Sequence, residues 1–429
     1  MKNAAKKVTR RQEASTRIVS SRQTVLPLVL ADVREELFSV VMRLGTNVFG
    51  AMLEDERTRL CGERYAHDPS RNAMRAGYTQ GEMAMAGQRV SMPRPRVRGR
   101  DGHEVPLKTW EQFAERDPLT PRAVEQMVIG VSTRNYRRSL ERLPREVRSR
   151  GTSKSAVSRR FVDGTSRELA KFQSRDLSSL SICVVMIDAI HVGEHIVLVA
   201  LGIDENGDKH ILGLQDGATE NAAVCKTFLG DLVARGLSQE RSTLFVIDGG
   251  KGIASAIQSF FGKLAVVQRC QVHKKRNVED HLPESMKKNV GRTIAKAYKS
   301  SEKRAKSILE GLARQLENEY PSAAASLREG LDETLTVLRF DLGEWLTRTL
   351  ATTNAIEYIN GRLRKTMHNV DRWRNGKMVR RWVAVGLVEA QKTFRKLRGH
   401  KNMPKLVAAL RAHDAKVNPS AVDATRKAA

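Results

Sequence analysis

The chain has 429 residues and a formal net charge of +27, because 75 Lys and Arg residues outnumber 48 Asp and Glu residues. This length allows two or three domains with their own cores, and the charge predicts a polyanionic partner, since phosphates neutralised by basic side chains release counterions. Four scattered cysteines argue against a disulfide framework or a four-cysteine zinc site. No apolar run approaches the roughly 18 residues of a membrane-spanning helix. We therefore expect a cytoplasmic protein without a membrane partner.

The N-terminal part of the chain is predicted to be mainly helical. Residues 1–24 are polar and basic, which is typical of a flexible tail. Between Val33 and Leu60 apolar residues recur at helical spacing, which predicts an amphipathic helix with a packing role. Residues 89–98 are rich in arginine and proline and therefore extended, either as a β-ribbon lying on a phosphate backbone or as a plain structural hairpin.

A helix that begins after Ser153 has the profile of the reading helix in a helix-turn-helix motif. Ser153 is a suitable N-cap, and Ala156, Val157 and Phe161 would pack inward. A shorter helix is predicted to start at Val131. The outward polar side chains are the candidate DNA contacts, namely Lys154, Ser155, Ser158 and Arg159. A basic solvated helix without a DNA role is the alternative.

From residue 181 the pattern changes to three strands followed by strands that alternate with helices. The predicted strands are 182–187, 194–203, 209–214, 243–247 and 264–269, and the predicted helices are 219–237, capped by Thr219, and 252–260. This order predicts an α/β domain with the mixed sheet of an RNase H-like fold. In that order the first and fourth strands lie side by side.

Three acids are the strongest candidates for catalysis. Asp188 follows the first strand, Asp248 follows the fourth strand 60 residues later, and Glu357 lies near the start of a helix over 352–367. A lone Asp after a strand is more often a turn residue, but two at neighbouring strand ends suggest a shared site. Carboxylates suit two Mg²⁺ or Mn²⁺ ions, which can clamp the attacking and leaving oxygens of a displacement at phosphorus.

A second cluster follows the last strand. Cys270 and His273 have the spacing of half a zinc site, but no second pair follows, and the His191/His195 pair is equally weak as a metal site. We expect His273 to hydrogen-bond a scissile phosphate or to orient an acid, whereas Cys270 could be functional or simply buried. Basic side chains of this cluster and of the later helix are candidate phosphate contacts: Arg269, Lys274, Lys275, Arg276, Arg362, Arg364 and Lys365.

The remaining boundaries follow from these elements. The catalytic core is predicted over 176–283 and 347–370, interrupted by an all-α insertion over 284–346. A basic helical region is predicted over 371–429, and a DNA-binding region with the helix-turn-helix-like segment over 25–175. Asn354 lies one helical turn before Glu357, so we expect it to support a ligand beside that acid.

Taken together, these motifs resemble the bacterial Mutator-like transposases of the IS256 type. The resemblance covers roughly residues 75–400 and includes the residues before the core, Gly130 to Arg134 and Ser153 to Arg160. The residues that carry it in the core are Asp188, Asp248, Cys270, His273, Arg276, Asn277, Thr352, Thr353, Asn354 and Glu357. The chain departs from the family at Tyr358, where an arginine is usual, and in the cluster Arg372-Trp373-Arg374 that follows this helix.

The resemblance implies a DDE triad in an RNase H-like fold with an all-α insertion, formed here by Asp188, Asp248 and Glu357. We expect Asp188 to bridge two Mg²⁺ ions, with the other two acids holding one each. The expected partners are double-stranded DNA, as terminal inverted repeats and target DNA, and further copies of the chain in a homo-oligomer associated with the nucleoid. A structure-selective nuclease on the same fold and a non-catalytic DNA-binding regulator are the alternatives.

Overall fold

In a computed structural model of the chain, residues 33, 36–66, 70–115, 118–143, 147–150, 152–217 and 221–417 are described. The chain divides into two compact units, 1–164 and 165–429. The predicted tail over 1–24 lies outside the described residues. Within these ranges, no helix is long and apolar enough to cross a membrane.

The first unit is organised around a long antiparallel hairpin. Strands β1 (Ala73–Met85) and β2 (Gln88–Gly99) pair along almost their whole length and are joined by a tight turn at Ala86 and Gly87. Two short strands, β3 (Glu104–Val105) and β4 (Ser149–Arg150), pair with β2. Arg94 and Arg96 of the hairpin both pair with Glu104, which favours the structural hairpin over a free arginine ribbon.

The helices of the first unit correct two predictions. Helix α1 covers 36–61, but Leu37 and Leu44 of its predicted packing face are 63% and 62% exposed. Its opposite face, with Phe49 and Leu53, enters the core beside the hairpin. No helix begins at Val131, because a turn there leads into a 3-10 helix at Tyr136–Ser139. Helices α2 (Lys108–Glu115) and α3 (Leu119–Val128) precede it.

Helix α4 (Lys154–Gln173) begins in the first unit and forms where a helix was predicted. The Ser153 hydroxyl accepts a hydrogen bond from the Ala156 backbone N–H at 3.3 Å, which confirms it as the N-cap. Val157 and Phe161 are buried, and the predicted outward side chains are exposed: Lys154, Ser155, Ser158 and Arg159. However, 25 residues separate the end of α3 from Lys154, so α4 does not follow α3 across the short turn of a helix-turn-helix.

The second unit contains a mixed five-stranded sheet. Its strands are β5 (Ile182–Val192), β6 (His195–Asp204), β7 (Lys209–Asp216), β8 (Thr243–Ile247) and β9 (Ala265–Arg269). Their spatial order is β7-β6-β5-β8-β9, antiparallel among the first three and parallel from β5 to β9. The predicted adjacency of the first and fourth strands is therefore confirmed.

Helices cover both faces of this sheet. Helices α5 (Ala222–Ala234) and α6 (Lys251–Phe261) pack on the face that carries Val185, Ile187 and Phe245. The opposite face of β5, β6 and β7 contacts two later helices, α13 (Asn354–Met367) and α14 (Gly376–Gln391). The predicted cap Thr219 lies outside the described residues. Asn221 caps α5 instead, and its side chain accepts hydrogen bonds from two backbone N–H groups.

A helical insertion separates β9 from α13. After α7 (Gln271–Glu279) it contains α8 (Glu284–Ala297), α9 (Glu302–Leu316), α10 (Pro321–Arg328), α11 (Leu331–Thr334), a 3-10 helix (Thr336–Phe340) and α12 (Glu344–Leu350). The insertion has its own apolar core and is fastened to the edge strand β9. The buried Gln268 amide donates to the Thr334 carbonyl at 2.9 Å, and its oxygen accepts from the Val337 N–H at 3.0 Å.

The C-terminal region forms α14 and α15 (Met403–Val417), with turns and a 3-10 helix (His400–Asn402) between them. Helix α14 is packed against the rest of the second unit. Val383 and Leu387 are completely buried, and the Gln391 side chain accepts a hydrogen bond from the Ile211 N–H of β7 at 3.3 Å. Helix α14 is therefore part of the layer that covers the sheet.

Replacing Leu387 with Ala should lower the free energy of unfolding by about 2–5 kcal/mol, because it leaves a cavity in this layer. Chemical denaturation followed by circular dichroism measures the change. Lys377→Ala, at an exposed position of the same helix, is the matched control and should change stability by less than about 0.5 kcal/mol. Equal stability of the two variants would show that α14 does not belong to the core.

Candidate active site

Asp188 lies inside strand β5 rather than at its end. The strand was predicted to stop at Ile187, and its parallel pairing with β8 does end there, at the Ile187–Ile247 pair. Antiparallel pairing with β6 continues to Val192, so the backbone around Asp188 stays extended and rigid. Because side chains alternate along a strand, Asp188 points away from the face that carries Ile187. Its side chain is 7% exposed and accepts a hydrogen bond from the Ala189 N–H at 2.9 Å.

Asp248 follows the last residue of β8 and is the sheet neighbour of Asp188, since Ile187 and Ile247 are register partners. The side chain accepts a hydrogen bond from the Gly250 N–H at 3.0 Å. Gly249, with a φ of +101°, turns the chain immediately into helix α6. A side chain at that position would be strained, so the sharp turn behind Asp248 explains the glycine.

Glu357 lies in the first turn of α13, and the start of that helix is tied to α7. The Gln271 N–H donates to the Ala351 carbonyl at 2.9 Å, and the Thr353 hydroxyl contacts the Cys270 sulfur at 3.5 Å. Cys270 in turn donates its own N–H to the Ile247 carbonyl at 2.7 Å, next to Asp248. These buried links fix the helix of Glu357 against the strand of Asp248.

One cavity of about 630 Å³ collects the predicted catalytic residues. All three acids, Asp188, Asp248 and Glu357, line it together with His273. Its other lining residues are Ala189, His191, Ile196, Arg276, Asn360, Gly361 and Arg364. Acids far apart in sequence thus share one polar cleft with basic side chains at its rim.

The cavity has the electrostatics of a cation site. Burial raises the pKa of Asp188 to about 6, with Asp248 and Glu357 acting in the same sense and His273 opposing them. The Glu357 Oε1 and Asn360 Oδ1 atoms are buried without a hydrogen-bond partner in the described structure. Unpaired buried oxygen atoms cost free energy, and an oxygen-binding cation would satisfy them.

Within the described residues, no three His, Cys, Asp or Glu side chains converge closely enough to hold a metal ion. The carboxylates of the cavity repel one another, which favours a wider spacing between them. Hard carboxylate oxygens at one cleft, one of them unpartnered, still match the chemistry of Mg²⁺ or Mn²⁺.

His273 lies between the acids and Cys270. The Cys270 side chain raises the pKa of His273 above its usual range, and the carboxylates of Asp188 and Asp248 add to this, against desolvation. Its Nδ1 atom is buried without a hydrogen-bond partner. A protonated imidazole at this position can donate a hydrogen bond to an anion in the cavity.

Comparison with known proteins decides the family. A sequence model described as "Transposase, Mutator family" matches residues 17–396. The chain belongs to this family.

Curated relatives of this Mutator-family chain include several insertion-sequence transposases. The transposase for IS256 in transposon Tn4001 of Staphylococcus aureus is 27% identical over 344 residues, covering 75% of this chain and 82% of the relative. The transposase for ISRM5 of Rhizobium meliloti is 27% identical over 380 residues, covering 86% and 91%. The transposase for IST2 of Acidithiobacillus ferrooxidans is 31% identical over 163 residues, covering 38% and 53%.

Two of the predicted phosphate contacts are engaged within the protein. Lys274 is 4% exposed, and its ammonium group donates to the Ser326 and Glu329 carbonyls, both at 2.7 Å. Arg269 forms ion pairs with Glu333 and Glu329. These predictions were wrong about the side chains' surroundings, because the sequence did not reveal that the insertion folds over them. Arg276 and Arg364, by contrast, line the acidic cavity.

Two asparagines that were candidates for the site, Asn354 and Asn277, do not line the acidic cavity. Asn354 is exposed at the start of α13, and Asn277 lines a separate cavity beside the insertion. Asn360 takes the expected place beside Glu357, three residues later on the same helix face. That spacing was visible in the sequence and could have identified it. The buried position of Cys270 agrees with a structural role in the link to Thr353.

The position of Lys274 gives a test of this assignment. Lys274→Met keeps most of the side-chain length but removes the ammonium donor from the Ser326 and Glu329 carbonyls, so the free energy of unfolding should fall by about 1–3 kcal/mol. Lys275→Met, at the partly exposed neighbouring position, is the control and should change it by less than about 0.5 kcal/mol. Denaturant titration of both variants measures the difference, and an unaltered Lys274→Met midpoint would contradict the assignment.

Proposed function

We propose that this protein is the transposase of an insertion sequence, which cleaves DNA at the ends of its element and joins them to target DNA. The observation that carries the proposal is the single cavity shared by Asp188, Asp248 and Glu357 in a chain of the Mutator family. Strand order β7-β6-β5-β8-β9, with the acids on β5 and after β8, supports an RNase H-like fold for the second unit.

Asp188, Asp248 and Glu357 would hold Mg²⁺ or Mn²⁺, expected as two ions. When bound, such ions lower the pKa of an attacking water and neutralise charge that develops at phosphorus. Asn360, with its unpartnered oxygen beside Glu357, would orient a water molecule or a ligand. Each reaction exchanges one bond at phosphorus for another, so no nucleotide cofactor is required.

The basic residues of the cavity give the phosphodiester its position. Arg276 and Arg364 reach the cavity from α7 and α13, so they would hold phosphate oxygens on either side of the scissile bond. His273, with its raised pKa, would donate a hydrogen bond to the phosphate under attack. Lys275, Arg362 and Lys365 lie on the same helices and would contact the DNA backbone further out.

Recognition of the terminal inverted repeats would be the task of the first unit. The exposed polar face of α4 offers the side chains that we predicted to read DNA, Lys154, Ser155, Ser158 and Arg159. The hairpin is a weaker candidate, since Arg94 and Arg96 pair with Glu104. Joining two ends to one target requires two active sites, so we expect a homo-oligomer on DNA.

A cleavage assay tests the proposed function. Purified protein is mixed with a labelled duplex that carries the inverted repeat flanking its gene, in Mg²⁺ or EDTA. Wild-type protein should nick the duplex at the repeat boundary only with the metal ion. Asp248→Asn and Glu357→Gln should reduce cleavage at least about 100-fold, because each removes a charge that the ions require, while binding in EDTA stays within a few-fold.

Glu344→Gln is the matched control, since Glu344 is an exposed acid in the first turn of another helix, α12. It should cleave like the wild type. Full cleavage by Glu357→Gln would overturn the assignment of the site. Cleavage without any joining of the labelled end to target DNA would favour a nuclease, and metal-independent binding without cleavage would favour a regulator.

A further inference from the structure

A second cavity lies beside the active-site cavity, on the adjoining face of helix α13. It has a volume of about 420 Å³ and is bounded by α13 and α14. Tyr358, Arg362 and Lys365 line it from α13, and Glu389 lines it from α14. Gly361 is the residue that lines both cavities.

Tyr358 gives this groove an exposed aromatic surface. The side chain is 59% exposed, although it follows directly after the partly buried Glu357. The Arg362 guanidinium donates a hydrogen bond to the Tyr358 hydroxyl at 3.2 Å. The same arginine lowers the pKa of Tyr358, and Arg395 and Lys209 act in the same direction. The Arg362 guanidinium also lies 6.0 Å from the centroid of the Tyr358 ring. A solvent-facing ring next to a cation is suited to a ligand with both aromatic and anionic parts.

Gly361 has no explanation in the packing of the protein. It lies in the middle of α13, where glycine costs roughly 1 kcal/mol relative to alanine. A Cβ atom added there would meet no atom within 4 Å, so nothing in the fold excludes a side chain. Gly386, across the groove on α14, is different, because a Cβ there would lie 2.4 Å from Leu363. Gly361 thus lies at the boundary between the groove and the acidic cavity, with open space above it.

We propose that this groove binds an unpaired nucleotide of the DNA strand next to the scissile phosphate, with its base stacked on Tyr358. The strand would leave the active-site cavity over Gly361, where a side chain would block its path. Arg362 and Lys365 would hold the adjacent phosphate. Stacking on an aromatic ring combined with backbone contacts to basic side chains is how proteins hold single-stranded nucleic acid.

Glu389 and the size of the groove support a base rather than a phosphate inside it. The cavity is large enough for a nucleobase. Its α14 side carries the Glu389 carboxylate, which is ion-paired with Lys392 at 2.6 Å, whereas Arg362 and Lys365 lie on its α13 side. A carboxylate can accept a hydrogen bond from the amino group of cytosine. Phosphates would therefore stay on the α13 side, next to Arg362 and Lys365.

The groove has a role only if the neighbouring cavity cleaves DNA, so this inference rests on the proposed function. It is tested by binding in EDTA, which does not depend on cleavage. Affinity is measured by fluorescence anisotropy for two labelled duplexes that end at the element boundary. One duplex is blunt and the other carries a short single-stranded dT extension on the strand to be cut.

Wild-type protein should bind the extended duplex more tightly. Tyr358→Ala should weaken that binding roughly 5- to 100-fold, as expected for the loss of one stacked base, and leave binding of the blunt duplex nearly unchanged. Tyr358→Phe keeps the ring and should retain the preference. Gly361→Leu should remove the preference, whereas Gly311→Leu should not. Gly311 is the matched control, because it too is a mid-helix glycine with open space, on α9.

A wild-type protein without preference for the extended duplex would overturn the proposal, as would a Tyr358→Ala variant that keeps it. Thermal unfolding of the two leucine variants shows whether a lost preference comes from a blocked DNA path or from a damaged fold. Gly361→Ala introduces a smaller side chain and should stabilise α13. The nicking assay distinguishes a failure of this inference from a failure of the proposed function. If the wild type nicks DNA with the metal ion but Tyr358→Ala has no effect on binding, only the nucleotide-binding role of the groove is overturned. If the wild type neither nicks nor binds the element boundary, the proposed function is overturned as well.

Discussion

Three carboxylates held at one partly enclosed cleft are the constraint on which the rest of the second unit depends. Asp188 is almost fully buried, and burial together with its acidic neighbours raises its pKa. Such a group destabilises the fold unless the surrounding structure is rigid enough to hold it. The central strand β5 supplies that rigidity, since it is hydrogen-bonded on both sides up to Ile187.

The helix of Glu357 is held to the sheet through a few buried atoms. Cys270 contacts both the carbonyl of Ile247 and the hydroxyl of Thr353, and Gln271 reaches Ala351. These links join the end of β8 to the start of α13 across 83 residues of sequence between Cys270 and Thr353. The placement of the third acid therefore depends on neutral side chains and on backbone groups as much as on the acid itself.

The insertion folds around its own apolar core and is also bonded to the catalytic sheet and to α7. It has its own apolar core, yet Gln268, Arg269 and Lys274 are all used to hold it against β9 and α7. Basic residues that were predicted to contact DNA are therefore engaged in contacts within the protein. The guanidinium groups at the cavity are those of Arg276 and Arg364, and the groove next to Gly361 adds Arg362 and Lys365. The net charge of the chain does not show which basic residues are bound within the protein and which face the cavities.

The sequence by itself determined the succession of strands and helices in the second unit and the adjacency of Asp188 and Asp248. The succession follows from local periodicity, and the adjacency follows from the arrangement that this succession adopts in an RNase H-like sheet. Only the tertiary structure decided that Lys274 is buried, that Asn360 rather than Asn354 lines the cleft, and that α14 covers the sheet. The physical reason is that charge and polarity identify what a side chain can bind, whereas its partner depends on which distant segment packs against it.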